Sequence, residues 1–449
     1  MNLDQLHQRY RDATPGSARA FGEAARLIPG GVQGNIKYFE PHPLSFESAN
    51  GSWLTDVDGH RYVDFLLSFG ALALGHGHAV VRKAIGDALD RYGTTSFGMP
   101  YELECKMVRT IRERFPSIDA LRFTNSGLEA TLLAIRIGLA ATGKTHIAKF
   151  EGHYHGGHDQ VLVSTTTAAR EAGVDPVARP DSKGLAPYHV KHTVVLPFND
   201  LENCSRILNS RNEEVGVVVL EPVQAGYIEP APGFLSDVRT LTAKLGMVLI
   251  FDEVKTGFRT SLGGAQGYYN VQPDLTALGK ILGGGLPIGA VGGRRELLEL
   301  CSPGRSKGLD DVVFHSGTFN GNPLSLAAGL ATIGFLEAPG RFSELLEATE
   351  ALKTGITTSA EEHGFGVDTP GAGTIFNVAF RQHGTYRTAV PAPNQLRQAL
   401  DFSLMHHGVF SKPMNRFSMA TSHGEAEIAH TLSAFENAFA ELEKFVEKL

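Results

Sequence analysis

Residues 121–134 read LRFTNSGLEATLLA, and this stretch decides the fold class. A short apolar strand runs into Asn125-Ser126-Gly127, and a helical pattern starts at once. The free N–H groups and positive dipole end of that helix then lie beyond the strand's carboxyl end, where an anion binds. Ser126 adds a hydroxyl, and Gly127 lets the backbone approach closely. The same residues also read as a plain helix cap, with Asn125 or Ser126 closing the first N–H groups.

On either side the rhythm repeats. Short apolar strands are expected at 146–150, 193–197, 215–221, 247–252, 275–278 and 288–291, with helical stretches between many of them. Strands joined through helices imply right-handed crossovers and a mostly parallel sheet, an α/β fold. Ligands of such sheets bind beyond the carboxyl ends of the strands. Here those ends carry Asn125-Ser126-Gly127, Glu151-Gly152, Glu221-Pro222, Asp252-Glu253 and Gly279-Lys280, which points to one shared site. Upstream, helices are expected at 80–92 and 102–115, a hairpin over 44–65 with its turn at Asp58-Gly59, and one polar helix from Asp4 to about Arg26. Downstream come helices at 324–337 and 342–363, strands at 375–380 and 409–411, and a last helix from Glu425. The division that follows is a 1–65 segment joining the small domain, a large ligand-binding domain over 66–320, and a small α+β domain over 321–449.

Composition narrows the class. Of 449 residues 42% are apolar and 20% charged, so burial offsets ordering entropy and wholesale disorder is excluded. Forty-one Lys and Arg against 48 acidic residues leave a net charge of −7, the wrong sign for a nucleic-acid binder. No apolar run approaches the roughly 18 residues of a membrane span, and the first residues lack a signal peptide's apolar core. Cys105, Cys204 and Cys301 are odd in number and far apart, which suits reduced thiols in the cytoplasm. The 51 glycines suggest tight turns and backbone close to a ligand. A soluble enzyme is expected.

Three further stretches carry chemistry. In VLIFDEVKTGFR, residues 248–259, a strand delivers Asp252 and Glu253 to its end, and alternation lets only one of them face a given ligand. In PDLTALGKILGGGLPIGA, residues 273–290, Lys280 follows a strand and precedes three glycines. A lysine so placed is an amine nucleophile toward carbonyls when desolvated. The glycine spacing matches neither a Walker loop nor a dinucleotide fingerprint. In FEGHYHGGHD, residues 150–159, His153, His155 and His158 flank Tyr154 at spacings that suit no common zinc motif, so no metal is expected. An aromatic or imidazole face for a flat ring fits better. An amine, a carboxylate, an anion site and a stacking face together describe the needs of pyridoxal 5′-phosphate.

At this point the chain resembles the class III aminotransferases of the fold type I pyridoxal-phosphate enzymes, in the branch containing glutamate-1-semialdehyde aminomutase. The resemblance rests on IPGGV, DVDGHRYVDF, TNSGLEATLLAIR, FEGHYHG, EPVQ, LIFDEVKTGFR, the run from Gly263 to Gly293, and GTFNGNP. It implies a large domain with a mostly parallel sheet, a smaller α+β domain, and a homodimer with shared sites. It implies Lys280 as the Schiff-base lysine and Asp252 as the partner of the pyridine nitrogen. Ser126, Gly127 and Leu128 match the phosphate loop, Tyr154 and Val254 the faces against the ring, and His155 and Glu221 stand beside them. Gly317 and Thr318 match the segment that reaches the neighbouring subunit's phosphate.

Departures from the family pattern bear on substrate. Leu128 stands where Thr is common, Lys255 where Gln or Met is common, and Gly34 and Lys37 where the aminomutase carries Ser and Arg. A lysine is a point charge and does not grip a carboxylate bidentately. The activity implied is therefore transfer of an amino group from an amino acid or amine to a 2-oxo acid, with the intramolecular aminomutase as the alternative. Lys37, Tyr38 and Arg416 are candidate substrate contacts, and Phe39 and Met414 suggest an apolar pocket.

Overall fold

The computed structural model describes residues 2–165, 175–305, 308, 311–380 and 394–446. At its centre lie seven strands: β4 (Ala120–Thr124), β5 (His146–Phe150), β6 (Thr193–Leu196), β7 (Val215–Leu220), β8 (Val248–Asp252), β9 (Leu275–Gly279) and β10 (Gly289–Gly293), in the order β4-β10-β9-β8-β7-β5-β6. Pairings from β9 through β6 are parallel. Strand β10 alone runs antiparallel to both neighbours. Only residues 280–288 separate it from β9, and a parallel return needs a dozen or more. The sheet is thus mostly parallel, as expected.

Why β7 reads VGVVVL, without a polar residue, follows from two covered faces. Val217, Val219 and Ile250 pack with Ala130, Leu133 and Ile137 of α5 (Gly127–Thr142). Val218, Leu220, Leu249 and Phe251 pack on the other face with Phe234 and Val238 of α7 (Phe234–Lys244). Alternate residues serve alternate cores. Helix α5 lies close because Gly138 faces Val217, whose Cγ2 would be 2.6 Å from an added Cβ. A third helix, α6 (Leu201–Ser210), buries Cys204 and Leu208 beside α7.

The N-terminal helix expected over 4–26 is two helices, α1 (Leu3–Ala13) and α2 (Pro15–Leu27). Pro15 has no N–H to continue α1 and sits at the first position of α2, where none is needed. The expected hairpin is a three-stranded meander, β1 (Phe46–Asn50), β2 (Trp53–Asp56) and β3 (Arg61–Asp64). Asp56 Oδ1 accepts from the N–H groups of Asp58 and His60 and so closes the turn between β2 and β3. Helices α3 (Ala79–Tyr92) and α4 (Glu102–Arg114) pack against α8 (Pro323–Glu337).

Beyond α8 come α9 (Arg341–Glu362), α10 (Asn394–His406) and α11 (Glu425–Val446) with short strands β11 (Ile375–Phe376), β12 (Val409–Phe410) and β13 (Phe417–Ser418). β12 pairs parallel with β3, Val409 opposite Val63, and α1 packs on α10, so chain start and chain end share one core. The single strand expected over 375–380 is interrupted. Arg397, buried on α10, donates to Asn377 Oδ1 at 2.7 Å and to the Val378 carbonyl, which draws those residues off the ladder. No helix among the described residues is long and apolar enough to cross a membrane.

Candidate active site

Three strand ends meet at van der Waals distance. Past β4, Ser126 Oγ accepts from Glu129 N at 3.2 Å and caps α5, while Glu129 Oε2 accepts from Asn125 N at 2.8 Å. Gly127 then presses on Val254, just past β8. A Cβ at 127 would lie 2.6 Å from Val254 Cγ1, and one at Gly279, the end of β9, would lie 3.5 Å from Gly127 Cα. Proximity demands glycine at 127, while position 279 is merely tight, its nearest atom being Val254 Cγ1 at 3.3 Å. The loop after β5 closes over the same helix end. Gly156 has φ of +102°, and a Cβ there would lie 2.9 Å from Leu128 Cα. Thr131 Oγ1 donates to the His155 carbonyl at 2.6 Å.

Buried beneath is a carboxylate cluster. Asp252 accepts from Val254 N at 3.0 Å on one oxygen and faces His155 Nδ1 at 2.8 Å on the other. Glu221 accepts from Tyr154 N at 2.9 Å and pairs with the Lys255 ammonium. Burial pushes the Glu221 carboxyl up, but Lys255, His153 and His155 outweigh it and leave it at about 2. The Tyr154 ring remains 45% exposed, available to an incoming flat ring. The three histidines are spent separately. His153 Nδ1 accepts from Glu221 N at 2.9 Å, His155 serves Asp252, and His158 Nε2 lies 3.4 Å from Thr131 Oγ1. Among the described residues no group of three ligating side chains is placed to hold a metal.

Lys280 begins the turn after β9 with φ of +51°, a conformation that costs a side-chain-bearing residue about 1–3 kcal/mol and collects at functional sites. Burial, then the cations of Arg416 and Lys255, lower its amine to about 8, against the pull of Asp252 and Glu221. Among the described residues no ion pair engages its amine, whereas Lys255 is engaged by Glu221.

Arg416 faces the same space. It donates to the Phe69 carbonyl at 3.3 Å, and among the described residues its Nε has no partner. Its neighbour Arg259, 1% exposed, is fully engaged by the Gly70 carbonyl, Thr374 and the Met419 carbonyl. Leu67, Ser68 and Phe69 all take left-handed φ, between 46° and 58°, and this turn presents the Phe69 and Gly70 carbonyls to the two guanidiniums. Lys37 lines a cavity of about 400 Å³ walled by Phe21, Phe39, Phe69 and Lys412. Tyr38 turns to Glu40, to which its hydroxyl donates at 2.5 Å, and to the ring of Phe21. Met414 is exposed beside Arg416.

The turn holding Gly317 and Thr318 meets the 125–127 turn through Asn320, whose Oδ1 accepts from Asn125 Nδ2 at 2.9 Å. Around them Met99, Phe314 and Phe319 are each more than 60% exposed. Sequence reasoning gave no role to Lys149, Arg259 or the 67–70 turn. Lys149, fully buried, donates to the carbonyls of His153, Val161 and Val163 and to Thr165 Oγ1, and so shapes the loop that carries Tyr154 and His155. Its place in the alternation of β5 marks it as an inward-facing cation, the signal that could have found it.

The donor set suits pyridoxal 5′-phosphate. The capped end of α5 offers N–H groups to a phosphate, Asp252 a carboxylate to a ring N–H, and Lys280 an amine to an aldehyde. Comparisons with known proteins agree. A match to the family described as Aminotransferase class-III spans residues 37–439. The chain is 41% identical to the glutamate-1-semialdehyde 2,1-aminomutase of Desulforudis audaxviator, over 94% of this chain and 97% of that one. An omega-transaminase structure from Sphaerobacter thermophilus aligns with a TM-score of 0.90 at 34% identity, covering 94% of this chain and 97% of its own. A β-phenylalanine aminotransferase structure from Variovorax paradoxus aligns at 0.86 and 32%, covering 98% and 97%.

Proposed function

Because the chain belongs to the class III aminotransferase family and takes pyridoxal 5′-phosphate as cofactor, we propose that it moves the amino group of a carboxylate-bearing amino compound. One observation carries this reading. The free, deprotonation-prone amine of Lys280 stands in one cluster with the Asp252–His155 pair and the available guanidinium of Arg416.

When bound, the cofactor supplies an aldehyde for the amino group and a ring that accepts electron density. Everything else falls to side chains. Ser126 and the N–H groups of Gly127 and Leu128 hold the phosphate. Asp252, fixed by His155, would accept from a protonated ring nitrogen and favour that charge. Val254 and Tyr154 confine the ring. Lys280 would supply the amine that takes up the aldehyde and would serve as the base for the carbon bearing nitrogen, for which an amine near 8 is well matched. Arg416 grips the substrate carboxylate; Lys37 and Tyr38 line the approach. Gly317 and Thr318, flanked by exposed apolar side chains, belong to a homodimer interface where they reach the partner's phosphate. Residues 66–320 hold the cofactor, and 1–65 with 321–449 close over it. The three free thiols suit the cytoplasm.

The amino group either returns to the same molecule or passes to a second one. The name of the D. audaxviator relative favours the first form, glutamate-1-semialdehyde 2,1-aminomutase. Gly34 and Lys37, together with the likeness to the omega-transaminase and β-phenylalanine aminotransferase structures, favour the second, with a 2-oxo acid as acceptor. Consumption of glutamate 1-semialdehyde without added oxo acid is expected of the mutase; a stall after one half-reaction, relieved by an oxo acid, is expected of the transaminase. In either form Lys280→Ala should abolish turnover and the visible absorbance due to the imine between cofactor and chain. Retention of both would overturn the assignment.

A further inference from the structure

Lys255 is a buried cation that amino transfer leaves without a task. Its side chain is 13% exposed and ion-paired with Glu221, which is 3% exposed, and its ammonium lies 5.6 Å from the centroid of the Tyr154 ring. Glu221 and Lys255 follow the adjacent strands β7 and β8, paired at Leu220 and Phe251, so the sheet itself sets their meeting. Taking such a pair out of water is costly, and apolar residues of like size often serve stability as well. Strand β9 lies beside β8 with Ala277 opposite Asp252, and a Cβ at Gly279 would lie 3.3 Å from Val254 Cγ1, so Lys280 and Lys255 each follow one of two residues in contact at these strand ends. Around Lys280 the charged groups are Arg416 and Lys255 as cations and Asp252 and Glu221 as carboxylates. Asp252 is engaged by His155, and the Tyr154 ring packs beside them.

We propose that Lys255 and Glu221 are opposed positioning residues that set the charge of the Lys280 amine, Lys255 favouring its neutral form and Glu221 limiting that effect. This rests on Lys280 being the cofactor-bearing amine. The burial of the pair makes its field strong, because little water screens it. Its net effect on Lys280 is the difference between two opposite contributions, so each partner removed alone moves the amine in its own direction.

The test uses the cofactor-free full chain. Competitive acetylation by acetic anhydride across roughly pH 6–11, read by mass spectrometry of the Lys280 peptide, reports the amine's own midpoint. Lys255→Met should raise that midpoint by about one pH unit, and Glu221→Gln should lower it by a similar amount. Lys255→Arg should leave it within a few tenths, and Lys255→Met with Glu221→Gln together should bring it back toward the parent value. The visible band of the reconstituted protein should shift its pH midpoint in the same directions. If Lys255→Met and Glu221→Gln move the midpoint the same way, or a folded Lys255→Met leaves it still, the inference is wrong. Should Lys255→Met fail to fold, an unmoved Lys255→Arg beside a lowered Glu221→Gln supports it, and any other pairing overturns it. Borohydride trapping of the cofactor on the parent protein tests separately whether Lys280 bears it.

Discussion

In the proposed function Lys280 serves the reaction and Arg416 recognition. The guanidinium of Arg416 donates to the Phe69 carbonyl, with Glu221 opposing the effect of its burial, and in the proposed function it takes an anionic substrate group beside Lys280. A charge-assisted contact of this kind is worth about 1.5–3 kcal/mol. Arg416→Leu should therefore lower kcat/KM for a carboxylate-bearing amine by about 10- to 100-fold, chiefly through KM. A simple amine without a carboxylate should lose little, and steady-state kinetics on the two substrates checks the contrast. For Lys280 the sign is fixed by its lowered value. The amine is charged below about pH 8 and neutral above it, so cofactor capture by the apo-protein should accelerate as pH rises through that value. Stopped-flow absorbance at several pH values would show it.

Among the elements, β10 is the one whose composition is dictated by the site. Its sequence, GAVGG, leaves almost no side chain on an otherwise apolar sheet. A Cβ at Gly289 would collide with the Ser126 carbonyl and with Thr124 Oγ1, and one at Gly292 would come within 2.7 Å of Ile118. The antiparallel strand is thus pressed directly under the turn that caps α5. Gly289→Ala should displace that turn, costing about 1–3 kcal/mol in overpacking and weakening cofactor binding at least about tenfold. An absorbance titration with pyridoxal 5′-phosphate, beside a melting curve, separates the two effects. Gly292→Ala, away from the phosphate turn, should reduce the melting temperature while leaving cofactor affinity nearly unchanged. The strand expected at 288–291 was legible from its apolar residues, but its direction followed only from the short link to β9.

The whole molecule carries an acid weakness in its buried histidines. Burial lowers His158 to about 3 and His423 to about 4, so both stay neutral in the folded chain where the unfolded chain protonates them. His423 stacks on Phe65 and accepts from Ala420 N, tying the C-terminal segment to the core under the 67–70 turn. The unfolded state then binds more protons below about pH 6.5, and folding stability falls as pH drops from there to 4, by on the order of 3 kcal/mol for each residue. Urea denaturation between these pH values should show that decline, and His423→Gln should make it shallower.

Much of this architecture was readable beforehand. The apolar runs located every strand of the central sheet, and the residues closing them, Ser126, Asp252 and Lys280, do converge at one place. That is so because a parallel sheet sends all its strand ends to one side, whatever lies between them. Local chemistry misjudged the first helix, where Pro15 counted for more than the surrounding polarity, and the 375–380 strand, which Arg397 reaches from a distant helix. Nothing local marks Leu67, Ser68 and Phe69 as left-handed, for none is a glycine; their strain is sustained by Arg259 and Arg416, nearly two hundred residues or more away along the chain. Order along the chain carries burial and direction, and so identified the elements and their reactive ends. Which charges oppose one another inside the site, Lys255 against Glu221 and Arg416 beside Lys280, depends on distances through space that folding alone creates.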